Sequence, residues 1–219
     1  MAAMTVAPLL NAGNLTITVP SEGDGFYHNE SGSSYDYWDG TNTVNKVHYQ
    51  FWGTSDSVIQ ETAYLQFDLS SVPAGTLIGS ATLNLYVTEI HYGDDSPSGG
   101  WIKHVANSSS ANGLASQKLG GSEIVVEMKD QPTGWMALDV TSFIQNDMAN
   151  GYSYAAFSGN YNGSGYFRNS GFSFVSADAT SDQPYLSITT VPEPAATTAA
   201  IMILAGIFVL CRRRVRTRA

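Results

Sequence analysis

The sequence predicts an all-β chain: a single jelly-roll-type β-sandwich with one short helix, followed by a C-terminal transmembrane helix. Three observations carry this expectation. Apolar and polar residues alternate at period two through segment after segment, clusters of Gly, Pro, Asn and Asp separate those segments, and one uninterrupted apolar run stands close to the C terminus. The chain has 219 residues. Without the apolar run, that length suits one domain with a substantial core.

Residues 1–13 contain no Lys or Arg and are read as a truncated remnant of a signal peptide, with Ala12 near the cleavage point. The sandwich is expected over residues 14–190. Leu15, Ile17 and Val19 alternate with Thr16 and Thr18, and Val47, Tyr49 and Phe51 alternate with Lys46, His48 and Gln50. Leu65, Phe67 and Leu69 flank Gln66 and Asp68, and Ala81, Leu83, Leu85 and Val87 flank Thr82, Asn84 and Tyr86. Leu186 and Ile188 close the domain beside Tyr185 and Ser187. Each pattern is that of a strand with one buried and one wet face. Shorter strands are expected at Ile124–Met128, Tyr152–Phe157 and within Gly165–Val175. Turns are expected at Pro73–Gly75, Gly93–Pro97, Asn112–Gly113, Pro132–Gly134 and Asn162–Gly165. The helix is expected to start at Asp139–Val140–Thr141, to carry Ile144, Met148 and Ala149 inward, and to end at Asn150–Gly151.

Charge narrows the function classes. Ten Lys and Arg face nineteen Asp and Glu, and five of the cations lie in the last eight residues. The rest of the chain keeps Lys46, Lys103, Lys118, Lys129 and Arg168 against all nineteen carboxylates. Such a surface repels phosphate backbones, so nucleic acid is not an expected partner. The single cysteine, Cys211, excludes a disulfide framework within the chain. Abundant Gly, Ser, Thr, Asn and Tyr suit an extracellular β-protein with polar loops.

The C-terminal segment 191–219 has three parts in order. Pro192, Glu193 and Pro194 precede the apolar run Ala195–Cys211, and residues 212–219 carry Arg212, Arg213, Arg214, Arg216 and Arg218. At about 1.5 Å per residue the run reaches roughly 25 Å as a helix, at the short end of a bilayer's hydrocarbon. The arginines would hold its end in the cytoplasm, leaving the body outside. This arrangement resembles the PEP-CTERM sorting signal of Gram-negative bacteria. The resemblance implies processing by an exosortase-type membrane protease, passage through the inner membrane, and delivery to the cell surface, envelope or extracellular matrix.

A second resemblance lies in the body. Ala63-Tyr64-Leu65-Gln66-Phe67-Asp68-Leu69-Ser70-Ser71-Val72-Pro73-Ala74-Gly75, with Ile78 to Val87 after it, is similar to the "RFDLSSIPAGATITSATLRLYV" stretch of DNRLRE-type domains. Trp135–Gly151 resembles their "W…DVTSLVQ…NG" segment, and Phe172–Phe174 with Pro184–Ile188 resembles their closing strand pair. The chain departs from the pattern around Gly100–Met128. The resemblance implies a secreted β-sandwich module related to a carbohydrate-binding module family.

Polysaccharide contact needs exposed aromatic rings for the apolar faces of sugars, beside short polar side chains for the hydroxyls. Trp38, Trp52 and Trp101 lie among Asp36, Asp39, Asn42, His48, Gln50 and Asp94, and are the candidate stacking residues. Trp52 falls on the His48 and Gln50 side of its strand. The same aromatics also suit plugs for the ends of a sandwich. No cofactor is expected; oxygen ligands for calcium would come from Asp36, Asp39 and Asn42, or from Asp94 and Asp95, all of which also suit solvated turns. The Asp139–Thr141 segment suits a scaffold role.

Enzyme signatures are absent: there is no Gly-x-Ser-x-Gly, no His-Glu-x-x-His, and His28, His48, His91 and His104 lack metal-ligand spacing. The expectation is a non-catalytic exported module. The alternatives are a polysaccharide lyase using the shared face of Lys46, His48 and Gln50, and a purely structural envelope or matrix protein.

Overall fold

The computed structural model describes residues 13–19, 24–30, 37–39, 41–52, 57–91, 99–106, 123–161 and 170–191. Twelve strands, a single 3-10 turn and one α-helix are formed among them. The strands are β1 (Asn14–Thr18), β2 (Asp24–Glu30), β3 (Tyr37–Asp39), β4 (Val44–Trp52), β5 (Ser57–Asp68) and β6 (Leu77–His91). They continue with β7 (Trp101–Val105), β8 (Glu123–Glu127), β9 (Gly134–Asp139), β10 (Tyr154–Asn160), β11 (Ser170–Val175) and β12 (Tyr185–Val191). The helix α1 spans Thr141–Ala149.

All strand pairs are antiparallel along the path β1-β12-β6-β11-β4-β5-β10-β7-β8, with β9 on β6, β2 on β5 and β3 on β2. The two longest strands change neighbours along their length. β5 pairs with β4 through Ser57–Glu61 and with β10 through Ala63–Asp68; β6 pairs with β12 through Leu77–Asn84 and with β11 through Val87–His91. These handovers divide the hydrogen-bonded path into two facing sheets. Ile17, Leu83, Leu186 and Ile188 from one side meet Leu65, Phe67, Ala155 and Phe157 from the other in a single apolar cluster. The all-β sandwich with one short helix is therefore the observed fold class.

Close contact between the sheets depends on a glycine. A Cβ on Gly159 of β10 would fall 2.2 Å from Val47 Cγ2 on β4 and 3.2 Å from the Phe172 ring. No side chain fits there without moving Val47.

The alternation expected for β1, β5, β6 and β12 is present in their buried residues. Three details differ. Leu69 is buried but begins a 3-10 turn, Leu69–Ser71, because the Asp68 carboxylate accepts the Ser70 N–H at 2.8 Å and turns the chain. β5 also buries Tyr64 and Gln66 on its other face, since it is central in its sheet. β2, β3, β7 and β9 lie where the sequence predicts no strand, because their short, polar or mixed sequences lack clean alternation. The Pro73–Gly75 turn is present, with Gly75 at φ 80° and the Thr76 N–H on the Pro73 carbonyl.

The helix starts where expected but is capped differently. Thr141 is its first residue rather than its cap; Asp139 Oδ1 accepts the Thr141 N–H at 2.9 Å and the Thr141 hydroxyl at 2.6 Å. The Thr141 oxygen in turn accepts the Ala81 N–H at 2.9 Å, and the Val140 N–H donates to the Ala81 carbonyl. The Asp-Val-Thr segment thus fastens α1 to β6. Ile144 is buried as expected and Met148 is half-buried, but Ala149 is exposed and Asp147 is buried in its stead. The helix ends at Asn150, with Gly151 at φ 72°.

Residues 1–12 and the segment 192–219, with its Pro-Glu-Pro motif, apolar run and arginines, lie outside the described residues, as do the turns expected at 93–97, 112–113 and 162–165. Among the described residues no helix is long and apolar enough to cross a membrane.

Candidate functional site

The outward face of β9, β6, β12 and β1 is built from residues that alternate with the core. Register places Tyr86 opposite Trp135, Asn84 opposite both Ala137 and Tyr185, and Thr82 opposite both Asp139 and Ser187; Thr16 and Thr18 continue these rows on β1. The result is one aromatic end beside rows of hydroxyls and an amide.

Trp135 dominates this face. It leaves 48% of its surface exposed, yet its indole meets Tyr86 edge-on at 5.6 Å and 85° and Tyr185 at 5.6 Å and 64°. Such cross-strand and diagonal aromatic contacts hold a large ring in one orientation without burying it. Gly134, at φ 102°, starts the strand from the preceding turn. Next to the rings, Asn84 Nδ2 donates to the Thr82 carbonyl at 3.1 Å, which fixes the amide. A fixed ring beside fixed hydrogen-bonding groups matches the two halves of a sugar.

A second concave feature lies across β6, β11, β4, β5 and β2. It is a cavity of about 350 Å³ whose lining includes His28, Lys46, Glu61, Glu89, His91 and Ser173. His28 Nδ1 lies 3.1 Å from Glu61 Oε1, and His91 Nε2 lies 3.0 Å from Glu89 Oε2. Lys46 Nζ stands 5.7 Å from the centre of the Phe26 ring. By backbone register His48 is opposite both Glu61 and Gly171, and Gly171 is opposite His91. Three histidines of distant sequence position thus share one transverse line of the sheet.

The three tryptophans proposed from sequence lie on three strands, Trp38 on β3, Trp52 on β4 and Trp101 on β7. Trp52 ends β4 opposite Ser57, on the same strand face as Lys46, His48 and Gln50. Trp38 is opposite Tyr27 by backbone register. Trp101, half-buried, is opposite Asn160 on β10, with Lys103 Nζ 5.9 Å from its ring centre. Only Trp101 among them has a described side chain.

Of the calcium ligands expected, Asp36, Asp94 and Asp95 lie outside the described residues. Asn42 is exposed, and its backbone carbonyl accepts the Ser176 hydroxyl. Among the described residues no trio of His, Cys, Asp or Glu is arranged to hold a metal.

The profile of carbohydrate-binding module family 96 matches residues 38–190. The chain belongs to this family. No curated protein matches the chain. Membership of family 96 agrees with a carbohydrate-binding domain, and the matched region contains Tyr86, Trp135 and Tyr185 and, of the cavity lining named above, every residue but His28. In the sequence Trp135 figures only as the first residue of the Trp135–Gly151 resemblance. Its fixed orientation comes from Tyr86 and Tyr185, which only strand pairing brings to it.

Proposed function

We propose that this family 96 module binds extracellular polysaccharide on the outward face of β9, β6, β12 and β1, with a sugar ring stacked on Trp135. The supporting observation is that Trp135 stays half-exposed while two tyrosines fix its indole. Leaving a large apolar ring in water forgoes burial energy, and a ligand's apolar face recovers it. Thr82, Ser187 and Thr18 supply the neighbouring hydrogen-bonding groups, with Asn84 buried behind them. The test is retention of the full chain and of Trp135→Ala on insoluble and acidic polysaccharides. Loss of an anchoring aromatic costs ~2 kcal/mol, about thirtyfold in Kd. Equal retention of both proteins rejects the reading.

The module is exported and non-catalytic in this proposal, carried by residues 191–219 acting as a PEP-CTERM signal. The order Pro192-Glu193-Pro194, apolar run, arginines supports that delivery, and an exosortase-type protease is the partner it calls for. The body corresponds to a DNRLRE-type domain over 14–190, in jelly-roll order. Replacing Pro192, Glu193 and Pro194 with alanine should leave the chain unprocessed in the inner membrane. Mass spectrometry of the envelope fraction reads this directly, and normal processing rejects it.

The cavity favours a second reading, β-elimination of a uronate polymer. Lys46 would face the carboxylate and the His28–Glu61 pair would take the C5 proton, while the C4–O bond breaks as the C4=C5 double bond forms and the departing oxygen takes a proton from water. New absorbance near 235 nm on incubation with uronate polymers, lost in Glu61→Gln, is its signature; retention without absorbance leaves the binding reading alone.

A further inference from the structure

β2 opens on Asp24, whose side chain is 1% exposed. Its Oδ2 is occupied: Asn45 Nδ2 and the Ala177 N–H both donate to it at 2.7 Å. Its Oδ1 has no hydrogen-bond partner, and neither has Asn45 Oδ1 or Asp178 Oδ2, although all three atoms are closed to solvent. Asn45 is itself only 1% exposed. Three buried acceptor oxygens therefore lack a donor in one neighbourhood, where Asn45 and Ala177, the residue before Asp178, both contact Asp24.

The surrounding backbone holds this arrangement in place. The Ser176 N–H donates to the Thr43 carbonyl at 3.1 Å and the Asp178 N–H to Ser176 Oγ at 3.1 Å. Gln183 Nε2 donates to the carbonyls of Ala177 and Ala179. The chain segments entering β4 and leaving β11 are thereby clamped beside the start of β2. Burial and the neighbouring Asp178 charge push the Asp24 carboxyl up to about 6, against the lowering effect of its two donors. A buried acceptor without a donor is costly, and a second carboxylate charge nearby compounds that cost.

We propose that Asp24, Asn45 and Asp178 hold a calcium ion. Two carboxylates balance a divalent charge, and an amide oxygen completes an all-oxygen set of the kind that hard cations take. Calcium accepts irregular geometry and fills its remaining positions with water, whereas magnesium demands a near-ideal octahedron and zinc prefers nitrogen or sulfur, which this cluster does not offer. The ligands come from β2, β4 and the segment after β11, so the ion ties three separate parts of the sandwich together. In a chain without disulfides, that tie replaces a covalent one. This proposal is independent of the polysaccharide reading.

The experiment uses the full chain stripped with EDTA. Calorimetric titration with CaCl2 should show one site with Kd of roughly 0.1–1 mM, the range of extracellular modules. At about tenfold excess over Kd, the melting temperature should rise by roughly 3–6 °C. Magnesium at the same concentration should give a smaller rise. Asp178→Asn should lose the calcium response while its metal-free melting temperature equals or exceeds that of the parent, because one of two neighbouring charges is gone. A flat calorimetric trace, or an equal calcium shift in Asp178→Asn, overturns the assignment.

Discussion

His104 Nε2 on β7 lies 2.9 Å from Asp147 Oδ2 on α1, and both side chains are closed to solvent at 2% and 1% exposure. The imidazole stacks on Phe143 at 4.8 Å and meets Phe157 edge-on at 5.8 Å. This polar contact sits within an apolar end of the sandwich and joins the helix to the sheet. Asp147→Ala removes one partner of a buried pair and should destabilise the chain by ~3 kcal/mol. A double replacement, His104→Phe with Asp147→Leu, should cost less than the single alanine. Urea midpoints of the variants check both statements.

The same pair sets a pH dependence. Burial raises the Asp147 carboxyl above 3.8, and the hydrogen bond and charge of His104 only partly offset it. The folded protein therefore holds this proton more tightly than the unfolded chain does. The resulting stability is present below 3.8 and is lost as pH rises through the raised folded value. Asp147→Asn cannot ionise, so its stability should fall less than that of the parent as pH rises out of the acid range. Denaturation at a series of pH values tests this, and parallel curves for the two proteins would contradict it.

On the aromatic face, Tyr86→Ala and Tyr185→Ala should weaken polysaccharide retention even if neither tyrosine touches the sugar. Each would free one side of the Trp135 indole, and a ring that must be ordered on binding costs ~1 kcal/mol more to engage, about fivefold in Kd. Trp101→Ala, on a different sheet face, should leave retention unchanged. Affinity electrophoresis on one polysaccharide ranks all three, and a Trp101 effect larger than the tyrosine effects would shift the site to β7.

Gly159→Ala tests the sheet contact. Its Cβ would overlap Val47 Cγ2, so a loss of ~1–3 kcal/mol is expected from overpacking. Adding Val47→Ala should recover part of it. Thermal melts of the single and double variants measure the coupling.

Much of the fold was legible because period-two alternation is a local signal. Leu83, Leu85 and Val87, or Leu186 and Ile188, announce a core face without reference to any partner. Asp139–Thr141 likewise marked a helix start, and only the division of labour between the two polar residues needed coordinates. What stayed hidden depends on pairing. The segment Asp24–Glu30 is too polar to read as a strand, yet it forms one because β3 and β5 flank it. Trp135, Tyr86 and Tyr185 become one surface only when β9 and β12 take opposite edges of β6. Asp147 draws no attention in the sequence because a carboxylate on an inward helical face makes sense only opposite His104.

β12 runs antiparallel to β1, with Asn14 opposite Thr189 and Thr18 opposite Tyr185, and the Thr190 N–H donates to the Gly13 carbonyl. Tyr185, with the indole beside it, therefore stands at the opposite tip of this strand from Val191. At about 3.3 Å per residue the strand separates them by roughly 20 Å. A mooring line attached beyond Val191 would leave the Trp135 tip pointing away from the attachment point.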